Sequence, residues 1–166
     1  MKLMICGSRT LTQRSYLLDA IRQSKINPKE VDEVLLGGAR GVDALGKWWA
    51  EGNHLNYRII PADWKHHGRA AGPIRNAILV ALADYVIAIW DGESPGTKDV
   101  ALRSALKDKP ILLMRPGEKE HIFRFTPPDR ETKVWQVKNN FTVVPRSKRA
   151  PRKRDRTHKP EGKKTE

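Results

Sequence analysis

One cysteine, Cys6, stands in a chain of 166 residues. A single thiol excludes an internal disulfide framework and any zinc site built on clustered cysteines. It also makes a reducing cytoplasm the expected location. No stretch approaches the ~18 uncharged apolar residues of a transmembrane helix, so no membrane association is expected. The apolar run in Met1–Arg9 is too short for a signal peptide and reads as a first strand. Also missing are the G-x-G-x-x-G dinucleotide fingerprint and the G-x-x-x-x-G-K-[ST] phosphate loop. His66 and His67 are adjacent in sequence, diverge, and have no third ligand nearby, which argues against a metal. No cofactor is expected.

Acidic residues are scarce: 19 against 32 lysines and arginines, a formal charge of +13. The imbalance is uneven. Residues 145–166 hold ten basic and three acidic side chains, +7 of that total. Pro145–Arg156 offers Ala150 as its one apolar residue besides proline, too little buried surface to offset the entropy of ordering. The segment reads as a disordered basic tail. It suits salt-dependent contact with DNA or RNA phosphates, or it serves only to keep the chain soluble.

What is present is a rhythm. Strand-like runs at Lys2–Cys6, Val31–Leu36, Tyr57–Ile60, Tyr85–Trp90 and Ile111–Met114 alternate with helical patterns. Several runs are apolar on consecutive residues, as strands covered on both faces are. Leu17, Leu18 and Ile21 share a face of a helix from about Gln13 to Ser24, ended by Asn27-Pro28. Ala44, Leu45, Trp48 and Trp49 fit a second helix, and Ile74, Ile78, Leu79 and Leu82 a third. Val100, Ala101, Ser104 and Ala105 fit a fourth. This order predicts an α/β fold: a Rossmann-like, doubly wound, mostly parallel five-stranded sheet with right-handed crossovers. Ile122–Phe125 and Lys133–Val144 alternate enough for a β-hairpin or an edge extension. The expected organisation is a domain over 1–114, a β extension over 115–144 packed on it, and the tail over 145–166.

In such sheets ligands bind beyond the carboxyl ends of the strands, and the unusual residues gather there. Strand one runs into Gly7-Ser8-Arg9. Strand two runs into Gly37-Gly38-Ala39-Arg40-Gly41-Val42-Asp43. Strand four runs into Asp91-Gly92-Glu93-Ser94-Pro95-Gly96-Thr97-Lys98-Asp99. Glycine lets backbone N–H groups approach an anion, and a helix N-terminus adds free donors and partial positive charge. Each loop alone also reads as a plain tight turn. Between strands three and four, Pro73 suits the first turn of a helix and brings Arg75 and Asn76 into that turn. Arg69 and Arg75 offer planar, permanently charged forks for phosphate; the alternative is surface charge on an amphipathic helix. Trp64, at a strand–loop junction, reads as core packing ahead of base stacking.

Four blocks in order carry a resemblance: Ile5-Cys6-Gly7-Ser8-Arg9, Leu36–Asp43, Arg69–Asn76, and Gly92–Thr97. Together they resemble the SLOG superfamily, which joins the Smf/DNA-processing-protein-A Rossmann domain and the Lonely Guy phosphoribohydrolases. The wording is most similar to the small YspA-like branch of bacteria and phages, in which Pro61-Ala62-Asp63-Trp64 and Gly68–Asn76 are characteristic. The likeness covers about Met1–Met114 and excludes the tail. It implies a Rossmann-like fold that binds a nucleotide or nucleotide-derived ligand.

Three functions follow from the resemblance. The first is a binding module: Gly7, Ser8, Arg9, Gly37, Gly38, Arg40, Gly96 and Thr97 hold phosphate, Arg69, Arg75 and Asn76 close over it, and Asp43 or Asp91 accepts from ribose hydroxyls. The second is an N-glycosidase acting on nucleoside 5′-monophosphates. In Lonely Guy enzymes an Arg at the position of Arg75 works with a Glu three residues after the Thr of Gly-Thr. Here the Glu position is Val100, and Asp99, about 100° around the helix, is the nearest substitute; the catalytic pair would be Arg75 and Asp99. The third is a single-strand DNA-binding protein of the DNA-processing type, to which the tail would add. Related proteins often pair through helices, so a homodimer is compatible with all three.

Overall fold

The computed structural model describes Met1–Gly117 together with the backbone of three short strands further on. The first strand, β1 (Lys2–Gly7), is central. Parallel partners follow as β2 (Glu33–Leu36), β3 (Asn56–Ile59), β4 (Tyr85–Ile89) and β5 (Ile111–Met114), in the spatial order β3-β2-β1-β4-β5. That order reverses between β1 and β4. The helices are α1 (Arg14–Ser24), α2 (Val42–Gly52), the one-turn α3 (Trp64–His67), α4 (Ala71–Leu82) and α5 (Pro95–Leu106). The sequence-based expectation of a doubly wound Rossmann-like sheet therefore holds.

The continuous apolar runs explain the two layers. Along β1, Leu3 and Ile5 point to the face covered by α1 and α2, where they meet Leu17, Leu45 and Trp49. Met4 and Cys6 point to the opposite face, with Leu79, Val80 and Val100 from α4 and α5. Leu3, Met4 and Ile5 are fully buried, each worth about 1.5–3 kcal/mol. Helix α1 ends where Lys25 turns left-handed and its N–H bonds to Arg22 O, just before Asn27-Pro28. Helix α5 begins on the Ser94 cap with Pro95 in its first turn. No helix among the described residues is long and apolar enough to cross a membrane.

Strand β3 is an edge strand with all four residues exposed. Two expectations about α4 need correction. Helix α4 starts at Ala71, so Pro73 is its third residue and Arg75 and Asn76 lie one turn in; Pro is tolerated there because the first four N–H groups of a helix have no intrahelical partner. The inward face of α4 carries Asn76, Leu79, Val80 and Ala83 at its end, while Ile74 and Ile78 stay substantially exposed.

Beyond β5, strand β6 (Phe123–Phe125) joins the sheet antiparallel to β5 as an edge extension, making six strands. Strands β7 (Trp135–Val137) and β8 (Phe141–Val143) form a separate antiparallel pair. Both forms of the expected β extension are thus present. The tail expectation for residues 145–166 lies outside the described residues.

Candidate nucleotide-type cleft

Above the carboxyl ends of β1, β2 and β4, at the point where the strand order reverses, the chain encloses a cleft of about 520 Å³. That location and size suit a small-molecule ligand. Of the residues proposed from sequence, Gly7, Arg9, Gly37, Asp43, Arg69, Arg75, Asn76, Asp91, Gly96, Thr97 and Asp99 line it. They come from four separate stretches of chain. Ser8, Gly38 and Arg40 do not line it.

Ser8 instead ties the loops together from below. It is fully buried. Its N–H bonds to Ile89 O at 2.9 Å, its Oγ accepts from Asp91 N–H at 3.0 Å, and its carbonyl faces Val42 N–H at 3.4 Å. One residue thereby fixes the β1–α1 loop to the β4–α5 loop and to the start of α2. Gly41 lets this happen: its φ is +76°, and a Cβ there would come within 2.5 Å of Ser8 O. Gly38 and Arg40 lie exposed on the outer turn of the same loop.

Asp91 anchors the β4–α5 loop. Its Oδ1 accepts from Glu93 N–H at 3.0 Å and Ser94 N–H at 2.8 Å, and its Oδ2 from the Thr10 hydroxyl at 2.9 Å. Burial alone would push its carboxyl up, but these donors, with Ser8, outweigh burial and bring it down to about 2. Asp91 is a loop fastener that also faces the cleft.

Asp43 differs. It is buried in the first turn of α2, and its Oδ2 accepts from Ala39 N–H at 3.1 Å. Burial raises its pKa above the usual carboxylate range; the hydrogen bond from Ala39 and the charge of Arg75 oppose that shift without cancelling it. Beside it, Gly37 has no room for a side chain: a Cβ would overlap the Arg75 guanidinium and reach 2.9 Å from Asp43 Oδ2. Glycine here lets an arginine approach the end of β2 closely.

Arg75 begins a chain of polar contacts across the cleft. Its Nη1 donates to Gly37 O and its Nε to Asn76 Oδ1 at 3.0 Å. Asn76 Nδ2 donates to Gly96 O at 3.3 Å and to Asp99 Oδ2 at 3.0 Å. Arg103 Nε closes on Asp99 at 2.8 Å. Sequence reasoning named Arg75, Asn76 and Asp99 separately and missed that Asn76 joins them. The neighbouring Thr97 is buried, with its Oγ1 3.1 Å from Ser94 Oγ. Gly96, one residue earlier, is exposed in the first turn of α5, where a backbone N–H lacks an intrahelical acceptor.

Arg9 and Arg69 are exposed at the rim and make no salt bridge or hydrogen bond among the described residues. Cys6 lies on the floor; burial first, then the charge of Asp43, pushes its thiol well above the ordinary range, so it is no nucleophile. The remaining rim residue corrects an expectation. Trp64 is not core: it is 53% exposed and lines the cleft. Helix α3, which carries it, and the 3-10 turn Gly68–Ala70 were both missed. Their signal was Asp63 three residues before His66, an N-cap spacing: Asp63 Oδ1 accepts from His66 N–H at 3.1 Å.

A family described as "YspA, cpYpsA-related SLOG family" matches residues 1–67, a span that includes Gly7–Arg9, the β2–α2 loop and Trp64. The Gene 61 protein of Mycobacterium phage D29 is 35% identical over 112 residues, covering 64% of this chain and 89% of that protein. No solved structure matches the chain.

Proposed function

The chain belongs to the YspA, cpYpsA-related SLOG family, and from that membership and the architecture of the cleft we propose that it binds a nucleotide or nucleotide-derived ligand. One observation carries the reading: Arg9, Gly37, Arg75 and Gly96, far apart in sequence, border a single cleft above the strand ends. Phosphate meets Arg9, Arg69 and the exposed start of α5, where guanidinium forks and an unbonded helix N–H act together. Arg75 already holds Gly37 O and faces Asp43, so it supplies fixed positive charge at the floor. Asp43 and Asp91 are the acceptors in reach of ribose hydroxyls. The reading is tested by thermal shift with nucleoside 5′-monophosphates and nucleotide sugars. A ligand at a hundred times its Kd stabilises by about 2.7 kcal/mol, and Arg9→Ala should blunt that shift. No shift across the panel would overturn the reading.

A second reading has a specific observation in its favour. Asp99 lines the same cleft as Arg75 and is joined to it through Asn76. The position of the Glu that the Lonely Guy enzymes use is filled by Val100, which is buried. An N-glycosidase built here would use Asp99 to assist water and Arg75 to steady developing charge. Free base released from a nucleoside monophosphate, and lost in both Arg75→Ala and Asp99→Asn, would establish it. Absence of release from every monophosphate would leave a binding module. Nucleic-acid contact is proposed only for residues 145–166. The cleft itself balances Arg9, Arg69 and Arg75 against Asp43, Asp91 and Asp99, unlike the positive groove that tracks a strand. A reducing cytoplasmic address suits the free, buried Cys6.

A further inference from the structure

Four tryptophans lie within Met1–Gly117, and three of them have an evident structural task. Trp49 is buried in the core between α2 and the sheet. Trp48 lies under the Arg14 guanidinium, 4.4 Å from its ring centroid. Trp90 donates from Nε1 to Ser94 O at 3.0 Å and packs against the α4–α5 core. Trp64 has no such task. More than half of its surface is open to solvent, and it lines the cleft.

Trp64 is nevertheless held in place. Asp63 caps the one-turn helix below it, and Asp63 Oδ2 lies 2.7 Å from His66 Nδ1. The indole reaches over α4 at Gly72, where a Cβ would stand 3.3 Å from Trp64 Cη2. One edge of the ring thus rests on a helix stripped of its side chain. The cleft lining is mixed: Trp64 adds exposed apolar surface, while Arg9 and the α5 start are polar. A ligand that uses both carries an apolar moiety as well as an anion.

We propose that Trp64 is the stacking platform for the nucleobase, so that the ligand class is a base-bearing nucleoside phosphate rather than a bare sugar phosphate. The proposal deepens the nucleotide reading and rests on it. A base stacked on an indole gains sequence-tolerant affinity through its π face. Arg69, on the turn following α3, places positive charge beside that platform.

The test compares two probes, adenosine 5′-monophosphate and ribose 5-phosphate, titrated calorimetrically into the full chain and into Trp64→Ala and Trp64→Phe. The wild type should bind the nucleotide tighter by about tenfold or more. Trp64→Ala should erase that margin and leave ribose 5-phosphate affinity unchanged, while Trp64→Phe should retain part of it. Equal binding of the two probes by the wild type would overturn the base platform while the phosphate site stands. So would a Trp64→Ala loss that is the same for both probes, which marks a structural residue. If the wild type bound neither probe, the adenine platform would fall, and the nucleotide reading would fall with it only if the thermal-shift panel also gave no shift.

Discussion

Beneath and along the floor of the cleft two separate sets of polar groups are engaged, Ser8 with Asp91 and the backbone of the β4–α5 loop, and Asn76 with Arg75, Gly96 O and Asp99. At the rim Arg9, Arg69 and Trp64 are exposed, and the side chains of both arginines are free of ion pairs among the described residues. The two zones border one cavity yet differ in what holds them. The floor is held by hydrogen bonds that centre on two buried polar side chains, Ser8 and Asn76, and losing a partner of either is costly. The rim contributes little to folding and presents charge and aromatic surface outward. In the proposed nucleotide reading, positioning and recognition therefore fall to different residues, and substitutions should separate them.

The sharpest separation is expected at Gly37. A methyl group there displaces the Arg75 guanidinium from Gly37 O, so Gly37→Ala should cost about 1.5 kcal/mol of stability and weaken nucleotide binding by moving that charge. Chemical denaturation checks the first effect and calorimetry the second. Asn76→Ala comes next: it removes the donors to Gly96 O and Asp99 and the acceptor of Arg75 Nε, while Asp99 keeps Arg103, for a loss of about 1 kcal/mol. An unchanged denaturation midpoint would show that the network is not what holds α4 to α5.

The two aspartates of the floor should respond to acid with opposite sign. Asp91, brought down to about 2, contributes stability that is complete above the unfolded carboxylate range near pH ~4 and is lost as pH falls through about 2. In Asp91→Asn that acid limb should flatten, at the expense of stability at neutral pH. Asp43 is raised, so the folded chain takes up this proton before the unfolded chain does, and acidification through that range favours folding. Asp43→Asn keeps an acceptor for Ala39 N–H and removes the buried charge; its Tm at pH 7 should equal or exceed that of the wild type. Melting curves from pH 2 to pH 7 distinguish the two. The smallest stability effect belongs to the rim: Arg9→Ala and Arg69→Ala should melt within about 0.5 kcal/mol of the wild type while weakening nucleotide binding severalfold.

The same division governs what could be read from the sequence. Strands buried on both faces, and glycine loops opening helices, are local patterns, so the sheet and the three converging loops were legible. Gly37, Asp43 and Arg75 were each visible as residue types; their mutual approach was not, because it joins positions 38 residues apart. The floor network escaped for the same reason, as Ser8 and Asp91 meet across 83 residues. Trp64 was misread because an aromatic after a strand packs inward when a long helix follows. Here the one-turn α3 is too short to carry it under the sheet. Ile74 and Ile78 suggested the wrong face of α4 because hydrophobicity alone cannot register that Asn76, a polar residue, is the one turned inward.

Backbone amide and indole shifts, followed by NMR while adenosine 5′-monophosphate is titrated into the labelled full chain, test the convergence directly. The expected result is a single saturable set of perturbations at Gly7–Thr10, Gly37–Ala39, Gly96–Thr97 and the Trp64 indole. Perturbations absent from those loops, or confined to residues 145–166, would contradict it.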